Sequence, residues 1–469
     1  MNGDIARLEA GYRAGRRTPE DVVEEELERA AEAQAVLGPF RRILYARARA
    51  EARAATDRHR RGTARSPLDG VPVVVQAGMQ ESERRARRRP SGDGEEGLLA
   101  RLRSHGAVVL AEADTAWRLA HRADVSPLRN PWAPEHAGGD GAPASVAAGV
   151  GAAALAVESC GWLRAWSARC GAVAFRPTRG ALSCGGIHPL APTLDQVAVV
   201  ARHAADARLV YEALARARRP RARRRGGRLG VVPPVSLEGE AGAWAVRQAY
   251  EAALALLARD GVELVPVEPP PLPTARAAAL TLWYAECLEV HRTRLAAHWA
   301  DDGPAARRRL MAAAAVGGAD YVRARAVRRA LGDAWGPALR RAGVDALALP
   351  TAPPAAPEAA FALAGGALAD TLLYTSFFDL IGAPAVTVPM GRDALGLPAG
   401  LQVAGAAGED AAVLDWAERL EAVRGPWPLP PRRSASAVPV GSSGQGWAKV
   451  ENVTVMASSV SFGPGGGPL

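Results

Sequence analysis

The sequence predicts an α/β protein with a mixed β-sheet core surrounded by helices. Short apolar runs of strand type alternate with longer helical patterns along most of the chain, which favours a sheet covered by helices. Hydrophobic residues make up 48% of the 469 residues, and aromatic residues only 5%. This composition is typical of a globular protein and excludes the fibrous and disordered classes for most of the chain.

The N-terminal elements follow from local signals. Thr18 is a good N-cap, with proline and acidic residues in the first turn, and predicts a helix to about residue 36. A second helix is predicted at about 42–59 and a buried strand at 71–75 that ends at Gln76. A charged loop fills 77–94, and a helix at 95–105 and a strand at 107–111 resume the alternation.

A glycine-rich loop over residues 138–143 opens a predicted helix of small residues, and the small residues continue from Ala144 to Ala156. The stretch 158–171 is then predicted to be a turn at the rim of a pocket. It leads into a strand at 172–175. The loop matches no phosphate-binding motif.

The second half repeats the alternation. It predicts strands at 229–232, 345–350, 385–389 and 400–403, and helices at 204–216, 239–341 (with breaks) and 410–423. We expect one domain over residues 1–425, with a helical insertion at about 237–342. Residues 426–469 are rich in proline, serine and glycine, which predicts a flexible tail.

The positive charge is a weak indication of a partner. The net charge is +9, yet Lys449 is the only lysine, so arginine supplies the excess. The arginine clusters at 84–89 and 216–228 have no interleaved aromatic residues that could stack on bases. We therefore expect no nucleic-acid partner.

The cysteines predict reduced thiols. Cys160, Cys170, Cys184 and Cys287 are few and show no CxxC spacing, so neither a disulfide framework nor a metal site is expected. No cofactor motif is present, and we expect no cofactor. The chain has no apolar window of about 18 residues and no signal-like start, which predicts a cytoplasmic protein without membrane association.

Several motifs that follow one another along the chain resemble those of a known protein family. They are Leu68 to Val75, Asn130-Pro131-Trp132, Arg169 to Asp195, Leu349-Pro350-Thr351, Asp379 to Pro389 and Gly396 to Gln402. From about residue 5 to 425, the chain resembles the amidase signature family. The resemblance implies the amidase-signature fold and a relation to amide-hydrolysing enzymes, among them the amidase-like subunit of the glutamyl-tRNA amidotransferase.

The resemblance also implies where catalytic residues would stand. Family members use a serine nucleophile, a second serine with a cis peptide bond, and a lysine that moves protons between them. The lysine follows the valine-rich strand, where this chain has Gln76. The nucleophile lies two residues before the arginine of an Asp-Thr-Gly-Gly-Ser-Ile-Arg pattern, which the match with Arg164 places at Trp162. Counting back from Trp162 places the cis serine at Gly138, unless a gap deletes it.

Other residues could take over a lost role. Cys160 is the main alternative nucleophile, beside Ser159 and Ser167. Lys449 would have to fold back from the tail, and His188 is better explained as a loop histidine that bonds to backbone. An indole at position 162 would also fill much of a substrate cavity.

Seven residues are predicted to line the pocket: Gly139, Asp140, Glu158, Ser159, Cys160, Gly161 and Arg164. For Glu158, Arg164 and Asp195 we expect a structural role in charge-assisted hydrogen bonds. Asp379 is expected to be solvated or to cap a helix.

These observations support three hypotheses. The first is a catalytically inactive member of the family that acts as a partner, scaffold or ligand-binding subunit. The second is an amidohydrolase or acyl-transfer enzyme with altered catalytic residues, using Cys160 or a bound water. The third, prompted by the shortened loop at 77–94 and the unusual tail, is a decayed gene or a wrongly joined reading frame. A protein partner, a homo-oligomer and a small amide-like ligand all remain open.

Overall fold

The computed structural model describes residues 3–79, 97–115, 128–215, 227–237, 243–299, 304–352, 371–393 and 396–432. Within these ranges, eleven strands form one mixed sheet in the order β1-β3-β2-β4-β6-β5-β10-β11-β9-β7-β8. The strands are β1 (Phe40–Ile43), β2 (Pro72–Gln76), β3 (Val108–Ala113), β4 (Ala153–Glu158), β5 (Val173–Arg176), β6 (Gln196–Ala201), β7 (Arg228–Val231), β8 (Glu263–Pro266), β9 (Ala346–Pro350), β10 (Ala385–Arg392) and β11 (Pro398–Ala404). The predicted α/β class is confirmed.

Helices pack around this sheet. In the described part of the chain they are α1 (Asp4–Arg13), α2 (Pro19–Leu37), α3 (Tyr45–Arg60), α4 (Leu98–Ser104), α5 (Gly141–Ala147), α6 (Trp162–Cys170), α7 (Ala204–Leu214), α8 (Ala243–Arg259), α9 (Leu272–His298), α10 (Pro304–Ala314), α11 (Gly318–Ala342), α12 (Ser376–Ile381) and α13 (Asp410–Arg424). The predicted helix after Thr18 is α2, which ends at Gly38 in the left-handed conformation.

The central strands are buried on both faces. Val73 and Val75 of β2 belong to one hydrophobic cluster, and Val74 between them belongs to another. Successive side chains of a strand point to opposite faces, so a continuous valine run suits a strand covered on both sides. β2 pairs in parallel with β3 and β4, which places the end of β2 beside the end of β4.

Four strands were not predicted. β1 and β6 fall in stretches interpreted as helix or loop, β4 falls in the run of small residues, and β8 falls in a break of the helical stretch 239–341. The helix that begins after the glycine loop ends at Ala147, and the alanines from Ala153 onward form β4. Pairing with β2 and β6 overrides the low strand propensity of alanine.

The stretch 158–171 differs from the prediction of a turn. Only residues 159–161 form a turn between β4 and α6, and α6 occupies most of the remainder. The helix ends at Gly171, whose φ of 72° closes it in the left-handed conformation.

Both ends of the described chain pack against the rest of the protein. The Asp206 carboxylate accepts the amide hydrogens of Asp4 at 2.8 Å and Ile5 at 2.9 Å, which caps α1. Near the C-terminus, the Trp427 ring lies 5.7 Å from that of Trp132. The segment 237–342 is largely helical but also contributes β8 to the sheet. The domain boundary at 425 stays a prediction, and residues 433–469 lie outside the described ranges.

None of the helices seen in these ranges combines the length and the apolar character needed to cross a membrane.

The capping box of α2 gives a stability prediction. The Thr18 hydroxyl accepts from the Asp21 amide at 3.2 Å, and the Asp21 carboxylate accepts from the Thr18 amide at 2.9 Å. Thr18→Ala is expected to lower the free energy of unfolding by about 1 kcal/mol, measured by urea denaturation. Thr281→Ala is the control, because its hydroxyl bonds only to Ala277 within α9. Equal losses in both variants would contradict the capping role.

Candidate functional site

The turn between β4 and α6 has an unusual backbone. Cys160 has a φ of 62°, the only positive φ of a non-glycine residue in the described chain, and Gly161 has a φ of 96°. In the family pattern both positions are glycine. A side chain in the left-handed region costs about 1–2 kcal/mol. Cys160 therefore holds a side chain in a backbone conformation that glycine adopts more easily.

Arg164 is the centre of a fully buried polar network. Its Nε donates to both oxygens of Glu158, at 3.0 and 2.9 Å, and its amide donates to the same carboxylate at 2.9 Å. The guanidinium also bonds to the Asp379 carboxylate, the Gln402 side-chain oxygen and the Thr375 carbonyl. Glu158 and Arg164 have the structural role in charge-assisted hydrogen bonds that was expected of them, and the structure shows that they bond to each other.

A second arginine completes the network. Arg176 Nε lies 3.1 Å from Asp379 Oδ1, and its Nη1 donates to the Ala383 carbonyl at 3.0 Å. Two carboxylates thus face two guanidiniums, and all four side chains are inaccessible to solvent. Asp379 was expected to be solvated or to cap a helix; this was wrong, because it is the shared anion of two buried arginines. Burial raises the pKa of Glu158, while Arg164 opposes that rise.

Gln76, where the resemblance implies the family's lysine, ends β2. Its side-chain oxygen accepts the Val157 amide hydrogen at 2.8 Å. The Gln76 side chain therefore links the end of β2 to the end of β4. A lysine ammonium has no acceptor and could not make this bond.

The glycine loop leaves no room for larger side chains. A Cβ on Gly138 would lie 2.2 Å from Leu128 Cδ2 and 2.4 Å from the Arg129 carbonyl oxygen. A Cβ on Gly139 would lie 1.9 Å from the Trp166 ring. Asp140 follows, and its carboxylate caps α5 by accepting the Ala142 amide at 3.2 Å. The described peptide bonds are all trans.

α6 carries two tryptophans, one of which touches the glycine loop. Trp166 is buried under Gly139, with the Arg169 guanidinium 4.8 Å from its ring. Burial lowers the pKa of Arg169 to about 10. Trp162, where the resemblance implies the nucleophile, is half-buried against the main hydrophobic cluster.

The alternative nucleophiles are buried. Burial and the nearby Asp379 and Glu158 carboxylates raise the pKa of the Cys160 thiol well above its usual range. Ser159 and Ser167 are also buried. His188 is exposed, and its Nδ1 lies 3.0 Å from the Pro189 carbonyl, as expected of a loop histidine.

Asp195 organises the loop before β6. It accepts the amide hydrogens of Leu190 at 2.7 Å and Ala191 at 3.1 Å. Burial raises the pKa of Asp195, and these amides and the Ser159 hydroxyl lower it. This is the structural role predicted for Asp195.

One cluster has the composition of a metal site. Within the described ranges, ligand atoms of Asp4, His203 and Asp206 lie within 4.8 Å of one another. Arg7 and Arg202 both pair with Asp4, and Asp206 caps α1. These contacts give the carboxylates cationic and amide partners without an ion.

Comparisons with known proteins agree with this geometry. A family model described as Amidase matches residues 21–414. The chain belongs to the amidase signature family. A glutamyl-tRNA(Gln) amidotransferase subunit of Anaeromyxobacter dehalogenans is 32% identical, over 90% of this chain and 96% of the relative.

Solved amidases share the fold. The crystal structure of an amidase matches with a TM-score of 0.79 and 30% identity, covering 90% of this chain and 100% of that one. Peptide amidase from Stenotrophomonas maltophilia matches with a TM-score of 0.73 and 25% identity, covering 91% and 98%. The predicted family and fold are confirmed.

Sequence reasoning missed part of the buried network. Arg176 was not singled out, and Gln402 was noted only as part of a motif. A signal was present: Gln402 and Asp379 both lie in motifs of the resemblance. Two polar residues in otherwise apolar runs indicate a shared buried partner.

The buried network gives a prediction about stability. Asp379→Ala would leave two buried guanidiniums with one carboxylate, so we expect a loss of about 3–5 kcal/mol. Glu251→Ala is the control: its pair with Arg247 spans one helical turn and both side chains are largely exposed. That change should cost less than about 1 kcal/mol. Comparable losses in urea denaturation would refute the assignment of Asp379.

The glycine loop gives a second prediction. Gly139 and Gly261 have φ values of 69° and 79°, but no atom lies within 4 Å of the Cβ position at Gly261. Both alanine variants incur backbone strain of about 1–2 kcal/mol, and the contact with Trp166 should add about 1–3 kcal/mol at position 139. A Gly139→Ala variant as stable to heat as Gly261→Ala would show that Trp166 does not press on the loop.

Proposed function

We propose that this protein is an amidase-signature member that has lost Ser-Ser-Lys amide hydrolysis and acts as a partner, scaffold or ligand-binding subunit. The observation that carries the proposal is the set of contacts made by Gln76. Its side chain bonds β2 to β4, and a carboxamide is neither an acid nor a base at neutral pH. The proton carrier on which the family's serines depend is therefore missing.

The two serine positions support the same conclusion. Trp162 supplies no hydroxyl, and its only heteroatom is an indole N–H donor. At Gly138, the space next to Cα is filled by Leu128 and by the Arg129 backbone. The neighbouring Trp166 ring further reduces the room beside the loop.

Altered chemistry through Cys160 has less support. A thiolate is the reactive form of cysteine, and burial beside two carboxylates raises the pKa of this thiol. The Arg164 guanidinium is engaged with Glu158 and Asp379, so it is not free to stabilise a thiolate.

A role as a partner protein is consistent with the intact fold of this chain. The Arg164 network preserves the fold around a site whose catalytic residue types have changed. Relatives from several bacteria are named as subunits of an amidotransferase, which is consistent with a chain that works inside an assembly. We propose the same for this chain.

The proposal is tested by measuring amide hydrolysis and the size of the native assembly. Purified protein is incubated with aliphatic, aromatic and peptide amides, and released ammonia is measured; we expect no turnover above the uncatalysed rate. Protein purified from its native cells is expected to elute above the 48.9 kDa of one chain, together with a partner or as an oligomer.

Cys160→Ala separates the two hypotheses. If the wild type hydrolyses an amide and this variant does not, the cysteine enzyme is correct and our proposal is wrong. If hydrolysis survives Cys160→Ala but is abolished by another substitution within 158–170, an altered active site is still present. A non-hydrolysing monomer with no co-purifying partner would contradict the assembly role.

A further inference from the structure

A groove of about 1180 Å³ lies apart from the β4–α6 turn. One wall is formed by α1 and α2, with Leu8, Gly11 and Val22 among the lining residues. The opposite edge is the segment 426–430, in which Trp427 packs on Trp132. A volume of this size exceeds that of most small-molecule sites and suits a segment of polypeptide.

The groove carries an excess of positive charge. Its arginines are Arg7, Arg16, Arg17, Arg29, Arg202 and Arg432, and its carboxylates are Asp4, Glu25 and Glu26. His203 adds no charge at neutral pH, because burial and the neighbouring arginines lower its pKa to about 4. The lining therefore has three more cationic groups than anionic ones.

Two of the arginines are available at the rim. Arg16 and Arg432 are exposed, and neither forms an ion pair with any residue that the structure describes. Arg17 pairs with Glu25 at 2.5 Å, and Arg29 pairs with Glu26 at 2.9 Å and more weakly with Glu25 at 3.4 Å. The rim thus has more guanidiniums than its carboxylates neutralise.

Small residues form part of the lining. They are Ala147, which ends α5, and three residues between α5 and β4, namely Ala148, Gly149 and Ala152. They project little beyond the backbone, which lets another backbone approach closely. An extended segment could turn alternate side chains toward these alanines and toward the arginines.

The chain's own tail lacks the complementary charge, since residues 433–469 contain a single acidic residue, Glu451. A single-stranded nucleic acid would need open aromatic faces on which its bases could stack. Arg392 lies 4.6 Å from the Trp132 ring, Arg424 lies 5.3 Å from the Trp427 ring, and the two rings contact each other. These contacts occupy the faces on which bases would stack.

We propose that this groove binds an extended acidic segment of a protein partner, with carboxylates on the rim arginines and small side chains against the alanines. The inference names the partner chemistry for the role proposed above and rests on that role. It does not involve the residues at the catalytic positions, so its failure is separable from a result on amide hydrolysis.

The experiment measures binding of a labelled peptide to the full chain. A fluorescein-labelled peptide of about 12 residues, alternating glutamate with alanine, would extend about 40 Å and is followed by fluorescence anisotropy. We expect saturable binding that weakens as salt is added. Arg16→Glu combined with Arg432→Glu should weaken binding by about tenfold or more. Arg323→Glu on α11, outside the groove, should leave it unchanged.

Each outcome bears on the proposal. Loss in the double variant, with thermal unfolding unchanged and Arg323→Glu unaffected, supports it. If the charge reversal unfolds the protein, Arg16→Gln with Arg432→Gln removes the charges more mildly and should still weaken binding. Equal affinity for a glutamine–alanine peptide, equal loss in Arg323→Glu, or tighter binding of an oligouridylate competitor would overturn it.

Discussion

The buried ion pairs of Arg164 hold together parts of the chain that are far apart in sequence. Burying a guanidinium away from water costs free energy unless each of its N–H donors has a partner, and a buried carboxylate likewise needs donors. Glu158 and Asp379 supply acceptors to Arg164 from separate elements of the fold, and Gln402 supplies another from β11. Removing either carboxylate leaves an excess positive charge in the core, and removing Gln402 leaves a guanidinium N–H without its partner. The β4–α6 turn is therefore constrained by the arginine beneath it.

This constraint fixes the backbone between β4 and α6. Glu158 and Arg164 set the start of α6, and Cys160 adopts the left-handed conformation that glycine would adopt more easily. Gln76 ties β2 to β4 beside this network, and Trp162 and Trp166 place two indole rings on α6.

Local signals in the sequence predicted much of the fold, because a capped helix after Thr18 and a valine run such as 73–75 are determined by neighbouring residues. β4 was not predicted, because its alanines have a low strand propensity and form a strand only by pairing with β2 and β6. A structural role was expected for Glu158 and Arg164, whose bond spans six positions. The bond from Arg164 to Asp379 joins residues 215 positions apart, and the motif that contains Asp379 does not identify its partner. The Gln76 contact was hidden likewise, because it depends on strand pairing.

The packing around the glycine loop also limits which substitutions the chain can accept. At Gly138, the Cβ of any other residue would meet Leu128 and the Arg129 carbonyl, and the adjacent Gly139 lies under the Trp166 ring. A larger residue at either position would require changes in these neighbours at the same time. Single substitutions are therefore a poor route for varying this loop.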